Sequence, residues 1–122
     1  MSRIEVLVEG AADVPVLREI LTRRFLLSEP DQFRIIAHGG RGDLPANDRL
    51  LSTPPPQHQK LLLNVLPTKL YGYSNWLSKH DWVLVVVDAD RTPCQQLLSQ
   101  LQAMLQGLPK RPRVLFRIAI EE

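Results

Sequence analysis

One cysteine, Cys94, is all the thiol that this 122-residue chain contains. An internal disulfide framework and a cysteine-based zinc quartet are both excluded, and the usage fits a reducing compartment. No apolar stretch approaches the ~20 residues of a membrane-spanning helix, and the N-terminus has no signal-peptide pattern. A soluble, cytoplasmic protein with no membrane contact is expected. Charge of one sign is not in excess: 15 basic residues face 13 acidic ones for a net +2. Lys and Arg are scattered, so a basic surface for nucleic acid would have to be assembled by folding. Internal repeats are absent, and the length suits a single domain, residues 1–122, with no room for a second.

What the chain does have is WVLVVVDAD, Trp82 to Asp90, an apolar run that ends in two carboxylates one residue apart. Val83 to Val87 show no polar alternation, the pattern of a central strand in a parallel sheet covered on both faces. Ligands of such sheets bind beyond the carboxyl ends of the strands, where Asp88 and Asp90 fall. Separated by the single residue Ala89 on one strand end, their side chains are expected to lean to the same side. Carboxylates held that close repel each other unless a cation lies between them, and magnesium is the natural oxygen-seeking partner. The plain alternative is a solvated, Asp-rich loop.

A second acidic end follows the first apolar run. Ile4–Val8 stops at Glu9-Gly10, and EGAAD places Glu9 and Asp13 four residues apart around a glycine turn. Residues 14–27 then have helical spacing, with Leu17, Ile20, Leu21 and Phe25 on one face and Pro15 in the first turn. Asp13 suits a helix N-cap as well as a functional role. Glu9 is harder to explain structurally, because a carboxylate between a buried strand and a turn is costly unless something uses it.

The remaining elements alternate. A strand is expected at Phe33–Ala37, followed by the glycine-rich HGGRGD and an irregular segment containing Pro54, Pro55 and Pro56. Residues 57–66 and 68–79 read as helical pieces broken by Pro67. A strand at 82–87, a helix at 93–106 ended by Gly107 and Pro109, and a strand at 114–120 complete the pattern. The alternation predicts a parallel sheet with helices on both faces, in the order 2-1-3-4, so that the two acid-tipped strands are central neighbours. The chain stops at Glu121-Glu122, directly after a strand that a doubly wound domain would follow with a covering helix. Either the chain is a fragment lacking that C-terminal helix, or the strand lies at an edge.

A strand ending in Glu, a helix, and a later strand ending in Asp-x-Asp resembles the TOPRIM domain of topoisomerases, bacterial primases and the overcoming-lysogenization-defect nucleases. The chain is similar, more closely, to bacterial TOPRIM-like proteins of unassigned function, through VEGAAD, AHGGRGDL, LPTKLYGYSNW, VVVDADRTPC and RIAIEE. The resemblance implies a Rossmann-like three-layer α/β domain and magnesium- or manganese-dependent phosphodiester chemistry on nucleic acid, often beside an ATPase partner. Glu9 and Asp13 match the Glu-x-x-x-Asp of the nuclease branch, and Asp88 and Asp90 match its Asp-x-Asp. Glu9 would then be a general acid/base or second-metal ligand, Asp88 and Asp90 metal ligands, and Glu121 or Glu122 an extra ligand. Members of the closer family continue past RIAIEE into a helix carrying further residues, which this chain lacks.

Other residues have two readings each. HGGRGD would cradle a phosphate with backbone N–H groups and Arg41, or be a flexible glycine turn; no Gly-Lys-Ser/Thr follows to make it a P-loop. Lys69, Tyr71, Tyr73 and Trp76 interleave charge with aromatics as nucleic-acid contacts do, but the spacing also fits a core-facing helix, the better reading for Trp76 and Leu77. Arg91 would neutralise a phosphate or pair with its neighbouring aspartates. His58 and His80 read as surface residues and Cys94 as a small buried residue at a helix start. Two rival functions remain. One is a degenerate module that binds nucleic acid or a protein without cutting. The other is a haloacid-dehalogenase-type phosphatase, since DADRT satisfies Asp-x-Asp-x-Thr with Asp88 as nucleophile and Asp90 as acid/base. Glu9 beside Asp88 in space would favour the TOPRIM reading over the phosphatase.

Overall fold

The computed structural model describes residues 2–119. Four strands, β1 (Ile4–Val8), β2 (Phe33–Ala37), β3 (Trp82–Asp88) and β4 (Arg113–Ala119), form one all-parallel sheet. Its order is β2-β1-β3-β4, as the alternation of elements predicts. Val8 stands beside Ala37 on one side and Val86 on the other. Glu9, the next residue, therefore leaves the sheet against the end of β3.

Each strand face is read by a different helical layer. Leu7, Val83, Val85 and Val87 point into a core closed by α2 (Leu62–Ser74) and α3 (Cys94–Gln106). Leu62, Leu66 and Leu70 of α2 and Leu97, Leu101 and Met104 of α3 supply the helical side, at the three- and four-residue spacing of an amphipathic stripe. Val6, Val8 and Phe33 point the other way and are covered by Leu21, with Val14 and Leu17, from the first helical segment.

That first segment is shorter than the spacing of residues 14–27 suggests. It consists of α1 (Val14–Glu19) and a π-type turn, Ile20–Arg24. Leu26 then adopts a left-handed φ of 54° and ends it. The wider turn shifts the register of the apolar face, so Leu21 is buried but Phe25 and Leu26 are exposed, Leu26 by 79%.

The helix around Pro67 also differs from expectation. Instead of two pieces, α2 runs unbroken through Pro67, while only a 3-10 turn, Pro56–His58, lies near the expected start of the first. An interior proline costs about 3 kcal/mol. Here Pro67 is itself buried, in a helix that also buries Leu62, Leu63, Val65, Leu66, Leu70 and Tyr73, and this packing outweighs the lost hydrogen bond. Trp76 falls beyond the end of α2 and is 55% exposed, tilted against Tyr73, so it is not a core residue; Leu77 does pack on the core.

Coverage of β3 and β4 is one-sided. Trp82, Leu84 and Val86 of β3 share a face with Arg113, Leu115 and Arg117 of β4. No described helix lies over β4 on that face, and Leu115 is 54% exposed in mid-strand. The expectation that both faces of β3 are fully covered holds only for the Val83-Val85-Val87 side.

Beneath α2 lies an ionic cluster. Glu5 is fully buried and is bound by Arg3 Nε at 3.2 Å and by Arg34 Nε and Nη2 at 3.1 and 3.2 Å. A buried carboxylate survives only when paired in this way.

Candidate active site

The carboxyl ends of β1 and β3 bring Glu9 and Asp88 together. The Asp88 backbone N–H donates to Glu9 Oε2, a bond across 79 positions of sequence. Burial pushes the Glu9 carboxyl above its ordinary 4.5, and the charges of Asp88 and Asp13 push in the same direction. The Asp88 N–H and the Arg41 guanidinium pull it back. The charges of two further carboxylates therefore reach Glu9 here, Asp88 at the end of β3 and Asp13 on the turn that leads into α1.

Asp13 is not a hydrogen-bonding cap: it closes a 3-10 turn, Ala11–Asp13, in helical backbone conformation, and its side chain caps nothing. Asp88 is the last residue of β3 and is exposed. Asp90 does not continue the strand. Its φ of 53° is left-handed, so the alternation that would align it with Asp88 has already ended. Asp90 is not among the charges that shift Glu9. Among the described residues no three His, Cys, Asp or Glu side chains form a group that could hold a metal ion. Glu121 lies outside the described residues.

The HGGRGD loop is a structural clasp. Gly39 N–H donates to Lys60 O, Gly40 N–H to Glu9 O, and Asp43 N–H to Asn64 Oδ1. The carbonyls of Gly40 and Arg41 accept from Leu62 and Leu63 N–H, satisfying donors that open α2. Gly42 has a φ of 68°, and a Cβ there would collide with Asn64 and Leu61. A phosphate cradle needs several converging free N–H groups, and those of His38, Gly39, Gly40 and Asp43 are already bonded within the fold.

Arg41 crosses from this loop to the acidic one. Its Nη1 donates to Ala89 O at 2.9 Å and its Nη2 to Thr92 Oγ1 at 3.1 Å. It thereby ties the DADRT turn, itself closed by Thr92 N–H on Ala89 O, to the entrance of α2. Lys69 sits elsewhere, on α2 among Arg34, Glu5 and His38; burial and Arg34 lower its affinity for a proton. Arg91 is exposed on the turn. His38, one strand from Glu9, donates from Nδ1 to Val8 O at 2.8 Å, which leaves Nε2 as a buried, unpartnered acceptor, and burial pushes the imidazole down. Cys94 is half-buried at the start of α3, and His58 and His80 are exposed.

The positions of two cations beside the strand ends follow from long-range pairing. The bridging role of Arg41 needs contact across 48 positions, and no local pattern signals it. Arg117 is exposed on β4, on the same sheet face as Asp88, and has no hydrogen-bond or ion-pair partner among the described residues. Its only sequence signal is alternation with the inward-facing Phe116 and Ile118.

No protein-family model, curated protein or solved structure matches the chain. No described helix is long and apolar enough to cross a membrane.

Proposed function

We propose that the chain is a TOPRIM-like module that cleaves nucleic-acid phosphodiesters with magnesium or manganese. The observation that carries this reading is the Glu9 carboxylate seated on Asp88, at the adjoining carboxyl ends of the two central strands. A phosphatase that uses Asp88 as its nucleophile has no need of that glutamate.

The donor set suits magnesium of a particular kind. A closed protein cage would need at least three converging ligands, and none is present among the described residues. Magnesium in phosphoryl-transfer sites is commonly held by one or two carboxylates, with waters and substrate oxygens completing its octahedron. Glu9 and Asp88 would hold it here, with Asp13 adding negative charge beside Glu9. When bound, the ion would polarise the phosphoryl oxygen and acidify a water.

The chain's own residues supply the rest. Without a cation, burial and the charges of Asp88 and Asp13 make Glu9 hold its proton more tightly than an ordinary glutamate, and a bound cation would relieve that cost. Asp88 keeps its place because its own N–H is tied to Glu9. Arg41 fixes the turn that follows Asp88.

Manganese binding followed by electron paramagnetic resonance tests the site: the wild type takes up the ion, and Asp88→Asn weakens uptake at least tenfold. A nuclease assay of wild type and Asp88→Ala, with and without EDTA, tests the chemistry, expecting cleavage only by wild type with metal. Equal cleavage by both proteins points to a contaminant and removes the support for the reading. A second reading, a binding module that cuts nothing, is favoured by the absence of a three-ligand cluster among the described residues. Salt-sensitive nucleic-acid binding without manganese uptake would select it. An ATPase partner belongs to the same proposal and is tested by co-purification with a candidate ATPase.

A further inference from the structure

We infer that Arg117 is the phosphate anchor of this site, gripping the nucleic-acid backbone next to the phosphodiester presented to Asp88. The inference rests on the phosphodiesterase reading above and adds a substrate-binding residue to it.

The register supplies the geometry. Asp88 pairs with Ala119 and Val86 with Arg117, so Asp88 and Arg117 lie on one face of neighbouring strands, two residues out of step. Strand spacing and rise put their Cα atoms about 8 Å apart. No ion pair joins them, and Arg117 has no partner of any kind among the described residues. A long cation beside an exposed carboxylate, unpaired with it, leaves room for an anion between the guanidinium and a cation on the carboxylate. Phosphate oxygens fit that position, and a guanidinium grips them with two parallel N–H bonds.

The other cations near the site are occupied or less well fixed. Arg41 spends both terminal nitrogens on Ala89 and Thr92. Lys69 belongs to the cluster around Glu5. Arg91 is carried by a turn, whereas Arg117 is carried by a strand hydrogen-bonded to β3 along its whole length. Arg113, four residues earlier on the same face, stacks on Trp82 at 4.1 Å and donates to Lys79 O, so its position is already set. The face over β4 is free of any described helix, which leaves an approach to Arg117 and Asp88 from one direction.

The test is binding of a short fluorescein-labelled DNA strand, and of its duplex, by anisotropy in calcium without turnover, across a salt series. Arg117→Ala is expected to weaken binding about tenfold, the low end for a charge-assisted contact. It should also make the logarithmic salt slope shallower by about 0.7 for the single strand or 0.9 for the duplex. Arg117→Lys should restore the slope but only part of the affinity, because an ammonium lacks the planar fork. Manganese uptake by Arg117→Ala should match wild type, so a failed metal site and a failed anchor give different results. Wild-type affinity and slope in Arg117→Ala overturn the inference. So does loss of affinity with an unchanged slope, which would mean that the face binds protein or apolar groups instead of phosphate.

Discussion

Replacing Arg41 with Met separates a clasp from a phosphate ligand. Met keeps much of the aliphatic length but removes the guanidinium, and with it the bonds to Ala89 O and Thr92 Oγ1. Hydrogen bonds from a charged donor are worth about 1.5–3 kcal/mol each when buried. These two are only partly buried, and Arg41 Nε is itself buried without a partner, a cost that the substitution relieves. Setting a loss of two weakened bonds against that relief gives a net destabilisation of about 2 kcal/mol. Urea unfolding followed by tryptophan fluorescence would measure it, with an unchanged m-value marking an intact native fold. Because the guanidinium also steadies the ionised form of Glu9, the Glu9 carboxyl should titrate higher in the variant, readable by carboxyl-carbon NMR. Nucleic-acid binding should keep its wild-type salt slope. A stability change below about 0.5 kcal/mol together with a shallower salt slope would refute the clasp and make Arg41 a phosphate contact.

The ionic cluster predicts an asymmetry: Arg34→Met should cost about 3 kcal/mol, more than Glu5→Gln at about 1–2, because Glu5 is sealed from water whereas Arg3 and Arg34 reach it. Matched urea curves check this, and the reverse order would show that the cations, not the anion, carry the cost. Glu9 sets a pH dependence in metal-free buffer. Its folded pKa lies above the unfolded 4.5, so the native state takes up its proton first as pH falls. The resulting destabilisation is full above the folded pKa and fades as pH drops from that value toward 4.5. Glu9→Gln should therefore be more stable relative to wild type at neutral pH than at pH 4.5, and a difference that stays flat with pH contradicts the burial and repulsion assigned to Glu9.

The sheet was legible in the sequence because its signals are short-range. An unbroken apolar run, two acid-tipped strand ends and turn residues between periodic segments suffice to order β2-β1-β3-β4. Where the structure departs from local sequence rules, tertiary packing overrides them. Pro67 is a helix breaker by any local measure, yet seven buried residues on α2, Pro67 among them, hold the helix together. The exposed Phe25 and Leu26 follow from a π-type turn, whose extra residue per turn no apolar spacing announces. Trp76 looked like core because its spacing continues α2, but the helix ends at Ser74 and the periodicity has no meaning beyond it.

The site divides along the same line. That Glu9 and Asp88 meet follows from two facts readable in the chain: each ends an apolar strand, and those strands are neighbours. The register then does the rest, since Val8 beside Val86 leaves Glu9 against the carboxyl end of β3. Asp90 was expected on the same side by counting residues, and counting fails there because strand alternation applies only while the backbone stays extended. Once Asp90 turns left-handed, its side chain is aimed by the turn, and the turn is held by Arg41 from 48 positions away. The positions of the cations follow for a related reason. Arg41 sits in a glycine-rich loop, which draws attention to it, but its loop has already closed on the start of α2. Arg117 sits in a plain strand, and only the pairing of β4 with β3 places it next to Asp88. A carboxylate is found by where its strand ends; the cation proposed to serve it is found only when the neighbouring strand is in register.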